Sequence, residues 1–302
     1  MQKRKRTLTQ ELERIRHLKL RAIAALFSSQ PLAAQFVLKG GNALDLVFHI
    51  TTRSSLDLDI SMESDFAPKD ILRLRAELES ALQASFAPDD LYVFDVTFEE
   101  KPPDTSPELA HFWGGYSLTF KLLPSADIEA CGGDMAKMRR RALPIGGKGK
   151  FEIDISKFEY CADKRSATLG GAEIFVYSPE MLVSEKLRAI CQQMPEYGPV
   201  VKRSRSGSAR ARDFVDITLL IQRFSIEMTH EDNLGILRKI FQIKHVPTQL
   251  IARIPDFKDF HEADFPAVKD SIQPGTQLED FDYYFDSVSH LAMRLSKALG
   301  HV

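Results

Sequence analysis

Arg53-Ser54-Ser55-Leu56-Asp57-Leu58-Asp59 sets two carboxylates two residues apart, a short way downstream of the glycine turn Lys39-Gly40-Gly41-Asn42. Leu56 to Ile60 alternates as a strand, so Asp57 and Asp59 share one face while Leu56, Leu58 and Ile60 take the other. Carboxylates spaced this way stand roughly 6 to 7 Å apart and repel by roughly 2 kcal/mol at an effective dielectric of about 20. A hard cation such as Mg²⁺ offsets that repulsion, because it takes oxygen ligands from one or two carboxylates together with substrate phosphates. Gly40 and Gly41 lack a Cβ and let backbone N–H groups approach a phosphate, and a helix opening at Asn42 aims its positive end at the same anion. The two segments together point to metal-dependent chemistry on nucleotides.

Several elements must position these groups. Phe36 to Lys39 is a short apolar strand, Ala43 to His49 supplies about two helical turns, and Thr51 to Ser55 re-enters the sheet. Phe151-Glu152-Ile153-Asp154-Ile155 alternates again and places Glu152 and Asp154 on one face of another strand. Leu91 to Phe98 and Tyr116 to Leu122 read as strands joined by the proline-rich loop Pro102 to Pro107. Helices are expected from Thr7, with Gln10 completing a capping box, to Phe27, and from Pro68 to Pro88. A further helix is expected over Ala126 to Arg141. From Ser178-Pro179-Glu180, a capped start with proline in the first turn, the pattern becomes helical. Leu234 to Ile243 and Phe281 to Leu299 continue a bundle, with a loop-rich connection over Pro247 to Pro274. Asp213 and Asp216 are three apart and share a helical face.

The 302 residues, 44% hydrophobic and 27% charged, describe a globular chain rather than a disordered one. No run approaches the roughly 18 apolar residues of a membrane span, and the basic Met1 to Arg6 leads into no signal core. The expectation is a cytoplasmic protein with Cys131, Cys161 and Cys191 as reduced thiols. The histidines show no metal spacing. The net charge of −2 conceals basic clusters at Lys3 to Arg6, at Lys137 to Arg141 with Lys148 and Lys150, and at Lys202 to Arg212. Such clusters fit a nucleic-acid partner or a solvated face. The loop Glu196 to Ser208 is expected to be mobile, positive and able to close over a polynucleotide.

Lys39-Gly40-Gly41-x-Ala43-Leu44 followed by Arg53-x-Ser55-x-Asp57-x-Asp59 resembles the AbiEii/AbiGii toxin family of nucleotidyltransferases, within the DNA polymerase β-like superfamily. Asn42 stands where the family usually has threonine, and it keeps a hydrogen-bonding side chain. Glu185-Lys186-Leu187-Arg188-Ala189 and Arg212-Asp213-Phe214-Val215-Asp216-Ile217 resemble the two later motifs in the expected order. Where many members carry an arginine six or seven residues after the lysine, this chain has Gln192 and Gln193.

The resemblance implies an α+β fold: a nucleotidyltransferase-type mixed sheet flanked by helices over residues 1–177, then a mainly helical domain over 178–302 that closes the nucleotide cleft. It implies two Mg²⁺ ions, or Mn²⁺, on Asp57, Asp59 and Asp154, with Glu152 as the reserve ligand. Lys39, Gly40, Gly41, Asn42, Arg53, Ser55, Arg188 and Asp216 would bind or brace the NTP. Lys186, oriented by Asp213, would offset phosphate charge. The activity implied is transfer of an NMP to an acceptor hydroxyl, with RNA such as a tRNA 3′ end as acceptor, in a bacterial toxin that has a cognate antitoxin. Protein hydroxyls as acceptors, or a non-catalytic nucleotide-binding module, stay open at this point.

Overall fold

Alternation buries Phe151, Ile153 and Ile155 and leaves Glu152, Asp154 and Ser156 on the opposite face of β5 (Phe151–Ser156). The computed structural model describes residues 2–28, 30–50, 57–271 and 277–301. Besides β5 the sheet contains β1 (Val37–Lys39), β2 (Leu58–Ser61), β3 (Leu91–Lys101), β4 (Gly115–Pro124), β6 (Arg165–Leu169) and β7 (Ala172–Val176). Their order is β3-β4-β5-β2-β1-β7-β6. β2 runs parallel to β5 and β1 parallel to β7, whereas β1–β2, β3–β4 and β4–β5 are antiparallel. The result is a mixed sheet of seven strands with the acidic β2 and β5 side by side near its centre.

Helices α1 (Gln2–Leu26) and α2 (Ile71–Phe86) pack together, and α2 also covers β3. Leu74, Leu78, Leu82 and Phe86 recur every fourth residue and are buried, with Phe86 tilted on Phe120 of β4 at 5.6 Å. The first helix already runs from Gln2, so Thr7 does not open it. The expected single helix over 126–141 is two, α3 (Ala126–Cys131) and α4 (Met135–Arg141). Gly132 and Gly133 both take positive φ between them, ending the first in a left-handed turn. The strands β6 and β7 were not expected from the sequence. Gly170 and Gly171, at φ 60° and 83°, form the two-residue link that joins them.

The chain divides into two compact units. The first comprises Met1–Asn42, Ser54–Phe158 and Ser166–Val176 and holds the sheet. The second comprises Ala43–Arg53, Glu159–Arg165 and Tyr177–Val302. Its helices are α5 (Pro179–Cys191), α6 (Ala211–Phe224), α7 (Glu231–Gln242), α8 (Lys258–Glu262), α9 (Phe265–Asp270) and α10 (Phe281–Ala298). α5 starts where Ser178 accepts a hydrogen bond from the Met181 amide at 3.3 Å, with Pro179 in the first turn. It packs on α6 and α7, and Phe214 of α6 stacks on Phe285 of α10 at 5.5 Å. The described part of the expected loop-rich connection is helical: a 3₁₀ segment, Thr248–Phe257, precedes α8 and α9. The three cysteines are buried free thiols, and no described helix is long and apolar enough to cross a membrane.

Candidate active site

The acidic site is built by register. Lys39 of β1 pairs with Asp59 of β2, and Asp59 pairs with Asp154 of β5, so one row crosses three strands as lysine, aspartate, aspartate. Ser117 of β4 extends the row beyond Asp154. Leu58 and Ile60 flank Asp59 with no exposure at all, which fixes its carboxylate on the opposite face. Lys39 is buried, and its Nζ donates to Ser156 Oγ, two residues along β5 from Asp154, at 3.3 Å.

The glycine turn packs directly on this row. Gly40 has φ of +65°, and a Cβ placed there would lie 2.5 Å from Asp59 Oδ2. Only glycine satisfies both the left-handed backbone and the approach of the carboxylate. Asn42 is fully buried and donates from Nδ2 to the Asp57 carbonyl at 2.6 Å, stitching the turn to the start of the acidic strand. The expected helix after the glycines is a short α-turn, Gly40–Asn42, that continues as the π-helical turn Ala43–Val47. Asp57 lies one residue before β2 and is part-exposed. Arg53 and Ser55 lie outside the described residues.

Two lysines that the motifs do not contain reach into this site. Lys148 Nζ contacts Asp57 Oδ1 at 2.7 Å, and Lys101 Nζ contacts Asp154 Oδ1 at 2.7 Å and Glu152 Oε1 at 3.5 Å. Each of these ammonium groups has its pKa raised, Lys148 chiefly by its bond to Asp57 and Lys101 chiefly by its bond to Asp154. Lys148 is presented by a tight turn: Gly146 and Gly147 take φ of 55° and 79°, and Ile145 and Lys148 exchange backbone bonds of 2.8 and 2.9 Å across them. Positive φ at both central residues is the requirement of a type I′ turn, which the glycine pair meets. The signal was present in Gly146-Gly147-Lys148-Gly149; Lys101 carried none.

Among the described residues no three His, Cys, Asp or Glu side chains stand close enough to share one ion. The donor chemistry nevertheless suits a hard divalent cation, since Asp57, Asp59, Asp154 and Glu152 offer carboxylate oxygens. The Gly40 approach to Asp59 also leaves backbone rather than side chain beside that carboxylate.

The later motifs lie in the helical unit and form a different kind of cluster. Lys186 Nζ contacts Asp213 Oδ1 at 2.9 Å and Asp216 Oδ2 at 2.7 Å, and all three side chains are at most 7% exposed. Arg210 binds the second oxygen of Asp213. Burial alone would push the Asp213 carboxyl up, but Arg210 and Lys186 outweigh it and hold its pKa far below the usual carboxylate range. The Arg210 amide donates to Nδ1 of the buried His261 at 3.1 Å. Burial pulls the His261 pKa down to about 4, so the ring is neutral near pH 7. Arg188, expected to face phosphate, is buried and bonded to Glu159 at 2.9 Å, with Lys244 on the other Glu159 oxygen at 3.6 Å. Burial opposes the Arg188 charge, yet Glu159 and Glu185 raise its pKa overall. His261 and Glu159 carried no sequence signal.

Over residues 21–287 the sequence matches the family described as nucleotidyl transferase AbiEii toxin, type IV toxin–antitoxin system, and the chain belongs to that family. It is therefore a nucleotidyltransferase toxin, with an NTP as substrate and a cognate antitoxin as partner. No curated protein matches the sequence. The fold is similar to that of JHP933 from Helicobacter pylori at 16% identity, covering 96% of this chain and 94% of that one with a TM-score of 0.47. A second Helicobacter pylori structure, provisionally assigned as a nucleotidyltransferase, is similar at 18% identity, 94% and 95% coverage and a TM-score of 0.44.

Proposed function

We propose that this toxin moves an NMP from an NTP to a hydroxyl of RNA, with the 3′ end of tRNA as the intended acceptor, in the cytoplasm and with Mg²⁺ as cofactor. The observation that carries the reading is the Lys39–Asp59–Asp154 row with Gly40 seated against Asp59. Asp57, Asp59 and Asp154 are the ligands proposed for two Mg²⁺, for which Mn²⁺ would substitute. The bound cations would lower the pKa of the attacking hydroxyl and offset charge on the departing pyrophosphate.

The remaining roles fall to the chain itself. Gly40 and Gly41 give the triphosphate a backbone wall, Asn42 keeps that wall in register with Asp57, and Lys39 balances the Asp59–Asp154 pair. Arg53 and Ser55 are proposed to brace the turn. Lys186 is proposed as a cation that Asp213 and Asp216 orient. Arg188 is given no phosphate contact, because Glu159 already holds its buried guanidinium.

The test is incubation with Mg²⁺, each labelled NTP, and total RNA or total protein, beside an Asp57→Ala control. Label is expected in RNA and absent with the variant. Label in the protein pool alone would transfer the acceptor assignment to protein hydroxyls, and label in neither pool would end the catalytic reading.

A further inference from the structure

The basic loop after α5 was expected to be loose, yet within the helical unit it is tethered at two points. Arg203 donates from Nη1 to the Gln192 carbonyl at 2.8 Å and from Nη2 to the Gln193 and Met194 carbonyls at 3.2 and 3.3 Å. These are carbonyls at the end of α5, where a helix lacks internal partners and favours a cation. At Gly207 a Cβ would collide with the Gln193 carbonyl, so the loop backbone lies directly on the helix end there. Gln193 completes the anchor, donating to the Ala189 carbonyl and accepting from the Ser208 amide at 3.0 Å each. Between the anchors Ser204, Arg205 and Ser206 stand exposed.

These three residues form one rim of a cavity of about 530 Å³ whose apolar floor includes Pro199, Phe257 and Phe260. That volume falls in the range of small-ligand sites, roughly 300 to 1,000 Å³. The charges around it are unequal. Glu196 and Asp256 are both bonded by Arg253, whose guanidinium also sits 5.9 Å from the centre of the Phe257 ring. Arg205 makes no ion pair with any described residue. The cavity therefore combines aromatic surface, two hydroxyls and one uncommitted guanidinium.

Aromatic surface beside a cation is the combination that holds a single-stranded nucleic acid, with the base against the rings and the phosphate on the arginine. We propose that this cavity is a subsite for one nucleotide of the acceptor RNA, its base on Phe257 and Phe260 and its phosphodiester on Arg205 with Ser204 and Ser206. Arg203 adds a second guanidinium to the lining, but its donors are taken by carbonyls, so a phosphodiester meets Arg205 directly. The subsite rests on the RNA-acceptor reading and extends it to residues of the helical unit.

The test is fluorescence anisotropy of the full chain with a labelled, short, single-stranded RNA of mixed sequence, without NTP, over a series of salt concentrations. Arg205→Ala is expected to weaken binding about ten-fold and to lower the salt slope by about 0.7, one phosphate contact on a single strand. Phe260→Leu is expected to weaken binding about ten-fold with the slope unchanged, as loss of one stacked base does. If wild type binds RNA and both variants bind it equally, with the same slope, the subsite is overturned while the acceptor reading stands. Wild type that fails to bind RNA overturns both. An unlabelled NTP that displaces the RNA from wild type, with NTP affinity falling in Arg205→Ala, assigns the cavity to the NTP and overturns the proposal.

Discussion

The two units each gather aspartates around lysine, and they do so at opposite extremes of burial. In the sheet unit Lys148 and Asp57 are 46% and 48% exposed, and Lys101 and Asp154 are 52% and 36% exposed. In the helical unit Lys186, Asp213 and Asp216 are 7%, 3% and 1% exposed. Ion pairs open to water contribute between nothing and about 1 kcal/mol and exchange partners readily. Breaking a buried one leaves an uncompensated charge out of water. The family's motifs therefore fall into two physical kinds. The Lys148–Asp57 and Lys101–Asp154 pairs of the sheet are open to water, whereas the carboxylates of the helical motif are buried against their cations.

The largest expected effect separates chemistry from stability in the sheet unit. Asp59→Asn should lower NMP transfer by roughly 10³-fold or more, as removal of a reacting-site group commonly does. Asp57→Asn should lower transfer comparably while changing the unfolding free energy from urea titration by no more than about 1 kcal/mol, because its pair with Lys148 is exposed. An Asp57→Asn enzyme that retains full transfer activity breaks the assignment of the carboxylates.

The helical cluster should show the reverse. Lys186→Met leaves Asp213 and Asp216 facing each other without their shared cation, at a cost of about 3–5 kcal/mol in urea unfolding. Lys148→Met should cost no more than about 1 kcal/mol. Equal losses for the two variants would erase the contrast between the units.

A smaller effect comes from His261. Its folded pKa of about 4 lies below the ordinary value of 6.5, so the unfolded chain takes up a proton between these limits while the folded chain does not. The stability from the neutral ring is whole above pH 6.5 and is lost as pH falls toward 4, by on the order of 3 kcal/mol. Thermal unfolding across that window should steepen with acid in wild type and flatten in His261→Gln. A wild-type profile that stays flat from pH 6.5 to 4 refutes the buried neutral ring.

Much of this arrangement was legible because alternation and glycine spacing are local. Asp59 and Asp154 announce their strand faces through Leu58, Ile60, Ile153 and Ile155, and the register that makes them neighbours follows from burying those apolar residues. Ser178-Pro179 marks the start of α5 for the same local reason. What sequence pattern did not carry is partner choice at long range. His261 meets the Arg210 amide across 51 residues, and Lys101 reaches Asp154 across 53. β3 runs on to Lys101, three residues past its expected end at Phe98, because β4 continues to pair with it as far as Gly115. The 165–169 strand was missed because its Arg165-Ser166-Ala167-Thr168-Leu169 sequence lacks the apolar alternation of a half-buried strand.

The finest expected effect tests whether the lysines of the sheet unit stand in for a divalent cation. The type I′ turn at Gly146 and Gly147 holds Lys148 so that its ammonium reaches Asp57, and this bond is the chief cause of the raised Lys148 pKa. A divalent ion approaching Asp57 meets that positive charge at close range. A divalent ion and a unit charge about 4 Å apart in water interact by about 2 kcal/mol, so Lys148→Met should bind Mn²⁺ roughly thirty-fold more tightly in a titration read by electron paramagnetic resonance. Lys148→Arg keeps the charge and should bind Mn²⁺ as wild type does, which separates charge from packing. Lys186→Met carries the opposite expectation, no change in Mn²⁺ affinity under conditions where it stays folded, since its carboxylates are assigned no metal. Equal Mn²⁺ affinity in wild type and Lys148→Met would show that the exposed pair does not oppose the cation, and the exchangeable character of the sheet site would then rest on Lys101 alone.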